Sequence, residues 1–377
     1  MVRTQNKIRI YNSHILNIMK RVHNFSAGPA TLPLSVLEKA QKELVNYNGK
    51  GASIIEMSHR SAEYKEINEQ AVTRLKEITG ADDDWEVLFL QGGASGQFMM
   101  VPQNFLADGQ TADYIDTGTW SAKAIKEARL FGNVHVPFSG KDEDYTRIPS
   151  ADELQLSSDA VYTHITSNNT IFGTQFPSEP KTGGSLLVCD ASSDFLSRPI
   201  DLDKYGMIYA GAQKNLGPAG VTVVMVRTSF MKNQKESPIP TILNYKTHLE
   251  KVFNTPPVFA VYFVNYVLEW IQEKGGLSYF DSFNTEKANL LYTEIDKDDF
   301  YRGTVKEGSR SKMNVTFRLG TEELEAAFLS QAAEKGLVNL KGHRSVGGIR
   351  ASIYNACEME SVKALVSFMK QFRTEKS

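Results

Sequence analysis

A single lysine, Lys214, lies in the segment "YAGAQKNLGPAG" (209–220), between two apolar runs that are each typical of a buried β-strand. An earlier strand-like run, "LLVCDASS" (186–193), places Asp190 at its end. Alone, the lysine could lie on a surface hairpin, and the aspartate could form a turn or cap a helix. Together, at consecutive strand ends, they match pyridoxal phosphate (PLP) enzymes. These need a lysine for the Schiff base, which can also shuttle the proton at the α-carbon, and an acid that keeps the pyridine nitrogen protonated.

Two helix starts could bind the phosphate of such a cofactor. In "FLQGGASGQFMM" (89–100), Gly92 and Gly93 would allow close backbone approach, and the helix that follows would present free N–H groups to an anion. Ser95 could add a hydroxyl donor. In "FNTPPVFAVYFV" (253–264), Thr255 suits an N-cap and Pro256 suits the first helical turn. Either segment could equally be an ordinary structural turn.

Two further residues near strand ends have two possible roles each. Trp120, in "DTGTWSAKAI" (116–125), could stack on a cofactor ring, although most tryptophans are core or interface residues. Thr170, in "SNNTIFGTQF" (167–176), is equally ambiguous. Residue type alone leaves both questions open.

The order of strand-like and helical segments predicts an α/β fold with a mostly parallel sheet. In such sheets ligands bind beyond the carboxyl ends of the strands. After "EKGG" (273–276) long helices surround shorter strands. We therefore predict a large domain at 34–275 and a smaller α/β domain made of 19–33 and 276–377. The seven strand-like runs of the large domain are "EVLFLQ", "ADYIDT", "NVHVPF", "AVYTHIT", "SLLVCD", "MIYAGA" and "VTVVMV".

Composition narrows the class of protein. The formal net charge of −2, with 23% charged residues, argues against nucleic acid as the main partner. Two cysteines, Cys189 and Cys357, cannot form a disulfide framework or a four-ligand zinc site, so we predict no metal and a reducing cytoplasm. The longest apolar run, 256–271, is interrupted by Asn265 and Glu269 and is too short to span a membrane.

The first residues are basic and contain no acid before Glu38, which could indicate a targeting peptide. They lack an apolar core and a small-residue cleavage site. We therefore expect residues 1–18 to be an extension without function, with Met19 as the true start.

From about Val22 onward, the chain resembles the phosphoserine aminotransferases, a family in class V of the fold-type I PLP enzymes. This resemblance implies the fold-type I architecture, with a mostly parallel seven-stranded sheet in the large domain and a smaller α/β C-terminal domain. The stretches that carry it are "NFSAGPATLP", "SHRS", "GQF", "SRPIDLDKYGMIYAGAQKNLGPAG", "FNTPP", "YFVNYVLEW" and "KGHRSVGGIRASIYNA".

The resemblance also implies roles around the cofactor. Lys214 is expected to form the Schiff base, and Asp190 to pair with the pyridine nitrogen. Trp120 would stack on the ring, and Thr170 would lie near the phenolic oxygen. The phosphate would be held by Ala94, Ser95 and Gln213, and by Asn254 and Thr255 of a neighbouring subunit. A homodimer with shared active sites follows from that last expectation.

The implied reaction transfers the amino group of glutamate to 3-phosphohydroxypyruvate, giving phosphoserine and 2-oxoglutarate. A second implied substrate is 3-hydroxy-2-oxo-4-phosphooxybutanoate, on the route to pyridoxine, since one extra carbon gives little discrimination. Arg350 is expected to bind the α-carboxylate. The distal phosphate or carboxylate would be bound by His343 and Arg344, together with His59 and Arg60 of the partner chain.

One difference within the family concerns residues 94 and 95. Some members have Gly-Arg where this chain has Ala94-Ser95, and that arginine helps to bind substrate anions. Other members have Ala-Ser. The remaining cations of this chain would then have to hold the substrate.

Other activities are less compatible with the sequence. A cysteine desulfurase needs a mobile cysteine, and neither Cys189 nor Cys357 lies in a suitable segment. A kynureninase or a serine–glyoxylate aminotransferase has no reason for two His-Arg pairs. A PLP-binding regulator would bring a DNA-binding domain, for which no basic helix-turn-helix segment is free.

Overall fold

The structure is a computed structural model that describes residues 21–376, so the predicted extension at 1–18 lies outside the described residues. Most of the described chain is arranged as strands followed by helices. The α-helices are α1 (Leu34–Glu43), α2 (Ala62–Thr79), α3 (Gly93–Phe105), α4 (Thr119–Ala128), α5 (Thr228–Met231), α6 (Tyr245–Glu250), α7 (Val258–Glu273), α8 (Gly276–Ile295), α9 (Glu322–Glu334) and α10 (Met359–Lys376).

The strands form three sheets, of seven, three and two strands. They are β1 (His23–Asn24), β2 (Trp85–Leu90), β3 (Thr111–Tyr114), β4 (Asn133–His135), β5 (Thr163–Thr166), β6 (Leu187–Asp190), β7 (Tyr205–Gly211), β8 (Thr222–Arg227), β9 (Arg302–Gly303), β10 (Asn314–Arg318), β11 (Leu337–Val338) and β12 (Ile349–Ser352).

The large sheet confirms the predicted α/β class and contains all seven predicted strands. Its order is β2-β8-β7-β6-β5-β3-β4, and all its strands run parallel except β8, which is antiparallel to β2 and β7. The carboxyl ends of β5, β6 and β7 therefore meet at one edge. In register, Asp190 of β6 lies between Thr166 of β5 and Tyr209 of β7.

Each face of the large sheet is covered by its own hydrophobic cluster. One includes Ile165, Cys189 and Ile208, with residues of α2 and α7 packed on them. The other includes Val188 and Tyr209, covered by α3 and α4. Alternate residues of each strand thus face opposite clusters, as a sheet buried on both sides requires. Asp190, two residues after Val188, faces the side of α3 and α4.

A third hydrophobic cluster lies away from the large sheet. It contains Phe25, residues of β10 and β12, and the inner faces of α8, α9 and α10. The antiparallel sheet β12-β10-β9 forms its base. The division into a large domain at 34–275 and a small domain at 19–33 and 276–377 remains a prediction.

The helix predicted to begin at Thr255 and Pro256 begins later, and that prediction was wrong in its start. Helix α7 starts at Val258, with Pro257 before it and no side-chain cap. The physical reason is Pro257, because a residue that precedes proline is disfavoured in the α conformation. Pro256 therefore cannot occupy a first helical turn, and Thr255 lies in the loop rather than at the cap.

Within residues 21–376, no helix combines the length and the apolar character that crossing a membrane requires.

Candidate active site

The carboxyl edge of the large sheet contains a cavity of 260 Å³. It lies between the turn after β7, the end of β6 and the first turns of α3 and α4. The structure thereby brings together residues that lie up to 120 positions apart in the sequence. The predicted residues that line it are Ala94, Ser95, Trp120, Asp190, Gln213 and Lys214.

Asp190 ends β6 and is only 4% exposed. Its Oδ1 accepts hydrogen bonds from the backbone N–H (3.0 Å) and the hydroxyl (2.6 Å) of Ser192. Its Oδ2 accepts none from the described residues, although Asp190 lines the cavity. Burial raises the pKa of Asp190, and the charge of Lys214 and the bonds from Ser192 oppose that rise. The residue is therefore both a turn former, through Oδ1, and a carboxylate with one oxygen available to a ligand.

Lys214 lies in the turn between β7 and β8 and is partly buried. Its Nζ donates a hydrogen bond of 2.7 Å to Oγ1 of Thr170. Burial lowers the pKa of Lys214 to about 8, against an opposing effect of Asp190 and together with a further lowering by Arg350. Its amine can therefore gain or lose a proton near neutral pH, as catalytic lysines do.

The backbone around Lys214 is held by two segments that the sequence analysis did not connect with it. Ala30 N donates to Gln213 O at 2.9 Å. Gly28, at φ 149°, lies so close that a Cβ there would be 3.3 Å from Cγ of Lys214. On the other side, Asn355 N donates to Oδ1 of Asn215 at 2.9 Å. Only a glycine at position 28 leaves the lysine stem its room, which gives the "SAGP" stretch a structural role.

The glycine-rich turn before α3 has the geometry expected of an anion site. Gly92 and Gly93 both have positive φ, 96° and 62°, and lead directly into the first helical turn. Ala94 and Ser95 belong to that turn, where the backbone N–H groups have no partner within the helix. These groups border the cavity.

Trp120 occupies the first turn of α4 and forms one wall of the cavity. Nζ of Lys214 lies 5.5 Å from its ring centroid. Its buried Nε1 has no hydrogen-bond partner among the described residues. A buried indole N–H usually finds a partner, so this donor is available to an acceptor on a ligand.

Arg350 is carried by β12 and reaches the same edge of the large sheet. Its Nη1 donates to the backbone carbonyl of Thr170 at 3.1 Å, while the hydroxyl of that threonine accepts from Lys214. Burial lowers the pKa of Arg350. The guanidinium of Arg350 and the amine of Lys214 therefore contact the same residue, Thr170.

His343 and Arg344 lie in the loop that precedes β12. His343 Nδ1 is 2.7 Å from Oγ of Ser345. Burial lowers the pKa of His343, and three positive charges lower it further, those of Arg350, Arg344 and Lys123. Three cations thus act together on this histidine, an arrangement that favours a bound anion.

Eight predicted residues are not part of the cavity lining; Thr170, His343, Arg344 and Arg350 are described above, and four others remain. His59 and Arg60 lie just before α2, and Asn254 and Thr255 lie in the loop before α7. That loop is held at the side of the glycine turn: Asn254 Nδ2 donates to Gln91 Oε1 at 2.7 Å, and Gln91 Nε2 donates to Thr255 O at 2.9 Å. In the described chain, Nζ of Lys214 donates to Thr170 and to none of these four residues.

The sequence analysis missed Ser192 and Lys123. Ser192 could have been found, because a serine two residues after an aspartate is a common turn partner. Lys123 could have been suspected from its spacing, three residues after Trp120 on one helix.

Comparison with known proteins agrees with this geometry. The family model described as "Aminotransferase class-V" matches residues 22–365. A phosphoserine aminotransferase of Niallia circulans is 53% identical over 359 residues, 94% of this chain and 98% of that protein. The phosphoserine aminotransferase structure from Bacillus circulans subsp. alkalophilus has a TM-score of 0.92 at 51% identity, covering 95% of this chain and 100% of that one. A PLP-bound phosphoserine aminotransferase structure from Trichomonas vaginalis has a TM-score of 0.88 at 39% identity, covering 93% and 100%. The chain therefore belongs to the phosphoserine aminotransferase family of the class-V aminotransferases, and it is a PLP-dependent enzyme.

Proposed function

We propose that this enzyme transfers the amino group of glutamate to 3-phosphohydroxypyruvate, giving phosphoserine and 2-oxoglutarate. One observation carries the proposal: the Lys214–Asp190 pair faces the cavity, and Arg350 lies at Thr170 beside Lys214 without forming an ion pair with a carboxylate within residues 21–376. His343 and Arg344, in the loop before β12, form no such ion pair either. Substrates with an anion at each end would satisfy these cations. The names of the relatives support the same reaction.

The residues present fit PLP. Oδ2 of Asp190 is available for a protonated ring nitrogen, and the unpartnered Nε1 of Trp120 is available as a donor. Ala94, Ser95 and Gln213 would hold the phosphate, Trp120 would stack on the ring, and Thr170 would lie near the phenolic oxygen. When bound, the cofactor supplies an electron sink next to the substrate's α-carbon.

The chain's own contribution to proton transfer lies with Lys214. It would bind the cofactor's aldehyde carbon and, when released by substrate, would carry the proton at the α-carbon. A pKa of about 8 suits this task, because both the charged and the neutral amine are then accessible near neutral pH. The hydroxyl of Thr170 fixes the position of Nζ.

Two sets of cations would orient the substrate, one at its α-carboxylate and one at its distal anion. Arg350 would bind the α-carboxylate, since it already lies at Thr170 beside the amine and its planar fork suits a carboxylate. His343 and Arg344 would bind the distal phosphate or carboxylate. Both substrates could then use one site in turn, first glutamate and then the phosphorylated keto acid.

Both cysteines are poor candidates for a desulfurase reaction. Cys189 and Cys357 are 1% and 3% exposed, and burial raises the pKa of Cys357 to about 11 and that of Cys189 well above its ordinary value. Such thiols remain protonated and are weak nucleophiles. Two free cysteines also accord with our proposal that the enzyme acts in the cytoplasm.

We further propose a homodimer in which each active site uses residues of both subunits. His59 and Arg60 would bind the distal anion, and Asn254 and Thr255 the cofactor phosphate, in the partner's site. None of the four lines the cavity at Lys214 within one chain, which supports a role for them in the partner's site.

A mixing experiment tests the shared sites. Lys214→Ala and Arg60→Ala subunits should each be nearly inactive, whereas a heterodimer contains one site with both residues intact. After unfolding and refolding an equal mixture, the rate should recover to about a quarter of the wild-type rate per subunit, as random pairing of two subunit types requires. Recovery that stays at the level of the separate variants would refute sharing of Arg60.

The proposed reaction itself is tested by its two halves. The PLP-loaded protein should lose its visible absorbance band on adding glutamate and regain it on adding 3-phosphohydroxypyruvate. The same assay with 3-hydroxy-2-oxo-4-phosphooxybutanoate tests the second substrate, which we propose is also accepted. A band that glutamate leaves unchanged would contradict the assigned amino donor, whereas regain with pyruvate alone would contradict a phosphate-specific acceptor.

A further inference from the structure

Lys123 lies on α4, three residues after Trp120, so both side chains lie on the same face of the helix. Its Nζ is 4.4 Å from the centroid of the Trp120 ring, closer than Nζ of Lys214 at 5.5 Å. The side chain is exposed. Its ammonium therefore lies over the ring of a residue that forms a wall of the cavity.

The charge of Lys123 also acts on the loop that contributes the predicted substrate cations. It is one of the three positive charges that lower the pKa of His343. Lys123 belongs to the helix beside the large sheet, whereas His343 belongs to the segment before β12. Cations from two distant parts of the chain therefore converge on one region.

Nothing in the described part of the chain neutralises this group. Neither Lys123 nor Arg344 forms an ion pair with a carboxylate there, although sixteen such pairs occur elsewhere. Like charges placed together repel one another, which costs folding free energy. An arrangement of this kind is explained if an anion occupies the region during function.

We propose that Lys123 binds the distal anion of the substrate and favours phosphate over carboxylate. This inference rests on the proposed function and extends it. Ser95 offers no positive charge at the cavity, so a cation from another element is needed for a dianionic phosphate. A lysine suits that role, because its ammonium acts as a compact point charge that can approach any of the phosphate oxygens.

The position of Lys123 separates it from the α-carboxylate. Arg350 lies at the carbonyl of Thr170, next to the lysine that carries the reaction. Lys123 lies instead over the Trp120 ring, with its charge reaching His343. Its contribution should therefore depend on which group the substrate carries at its far end.

Two unreactive ligands test this. 3-Phosphoglycerate carries a carboxylate and a phosphate but neither amine nor keto group, and glutarate carries two carboxylates. Calorimetric titration of the PLP-loaded enzyme should show that Lys123→Met weakens 3-phosphoglycerate binding about tenfold and glutarate binding about threefold or less, since a second unit of ligand charge strengthens the attraction. Lys123→Arg, which keeps the charge, should retain most of the affinity.

Lys126 provides the matched control. It is exposed on the same helix, and its charge is not among those that lower the pKa of His343. Lys126→Met should bind both ligands as the wild type does. Raising the salt concentration should reduce the difference between wild type and Lys123→Met, because screening weakens exposed charge interactions.

Two results would overturn the inference. Unchanged 3-phosphoglycerate affinity in Lys123→Met would show that the lysine does not meet the phosphate. Equal weakening of both ligands would show that it only supports the Trp120 ring. In either case, regain of the absorbance band by wild-type enzyme with 3-phosphohydroxypyruvate would leave the proposed reaction standing. If the wild-type enzyme fails that assay and does not bind 3-phosphoglycerate, both the proposed reaction and the role of Lys123 are contradicted.

Discussion

Replacing Lys214 with alanine should lower the rate of amino transfer by about 10³-fold or more, because a positioned general acid–base contributes about 10²–10⁴ on its own. The structure gives the lysine no substitute. Within residues 21–376, the other titratable groups at Thr170 and Trp120 are Arg350, which stays charged, Tyr354, whose pKa is raised by burial to about 12, and Lys123, which lies over the Trp120 ring. Single-turnover absorbance with glutamate measures the effect on the chemical step.

Two comparisons distinguish the role of Lys214 in proton transfer from the effect of its positive charge. Lys214→Arg keeps a positive charge beside Asp190 but cannot release its proton, so it should be as slow as the alanine variant. Added ethylamine should partly rescue Lys214→Ala, in which the cavity gains room for it, but should not rescue Lys214→Arg. A Lys214→Ala enzyme within tenfold of the wild type would exclude this lysine as the proton carrier.

The same residue predicts a pH dependence that needs no cofactor. Burial lowers the pKa of Lys214 to about 8, so the amine is mainly charged below that pH and mainly neutral above it. Competitive acetylation of the cofactor-free protein, read by mass spectrometry, should show the reactivity of Lys214 rising through about pH 8. Lys126, exposed on α4, provides the reference lysine in the same digest.

The sequence was sufficient to predict the sheet and the two central residues. Each of the seven strands overlaps a strand-like run of six or seven residues with a turn-forming boundary. Asp190 ends one of these strands, and Lys214 lies three residues after the end of the next. The antiparallel direction of β8 could also have been predicted from the sequence, from the length of the segment that precedes it. Residues 212–221 are too few for the crossover of a dozen or more residues that a parallel neighbour requires.

Contacts between distant segments could not be predicted in the same way. Gly28 against the stem of Lys214, Asn355 against Asn215, and Lys123 near His343 each join residues more than a hundred positions apart. Local spacing has no information about such pairs. The start of α7 was a different kind of error, because the two prolines were read as a helix start without applying the restriction that the second places on the first.

Replacing Asp190 with asparagine should have the second large effect, a loss of amino transfer on the order of 10³-fold, comparable with removing a preorganised electrostatic group from other active sites. The shape is kept, and Ser192 can still donate to the remaining carbonyl oxygen. The negative charge is lost, so a protonated ring nitrogen is no longer favoured. Single-turnover rates with glutamate measure this.

A second measurement on the same variant requires no cofactor. The charge of Asp190 opposes the lowering of the pKa of Lys214. Asp190→Asn removes that opposition, so the acetylation midpoint of Lys214 should fall below about 8. Ser192→Ala keeps the carboxylate and removes one hydrogen bond to a charged group, worth about 1.5–3 kcal/mol, so its rate should fall less than that of Asp190→Asn.

The nearest alternative acid is Asp194, whose charge also raises the pKa of Lys214. Its two oxygens are already used, Oδ1 by Ser167 and Oδ2 by Gln175 at 3.0 Å. Asp190, in contrast, has a free Oδ2 at the cavity. If Asp190→Asn retained the wild-type rate while Asp194→Asn lost it, the catalytic acid would be Asp194. We expect the reverse order, because Asp190 lines the cavity and has an oxygen without a donor, whereas Asp194 is not part of that lining and both of its oxygens already accept a hydrogen bond.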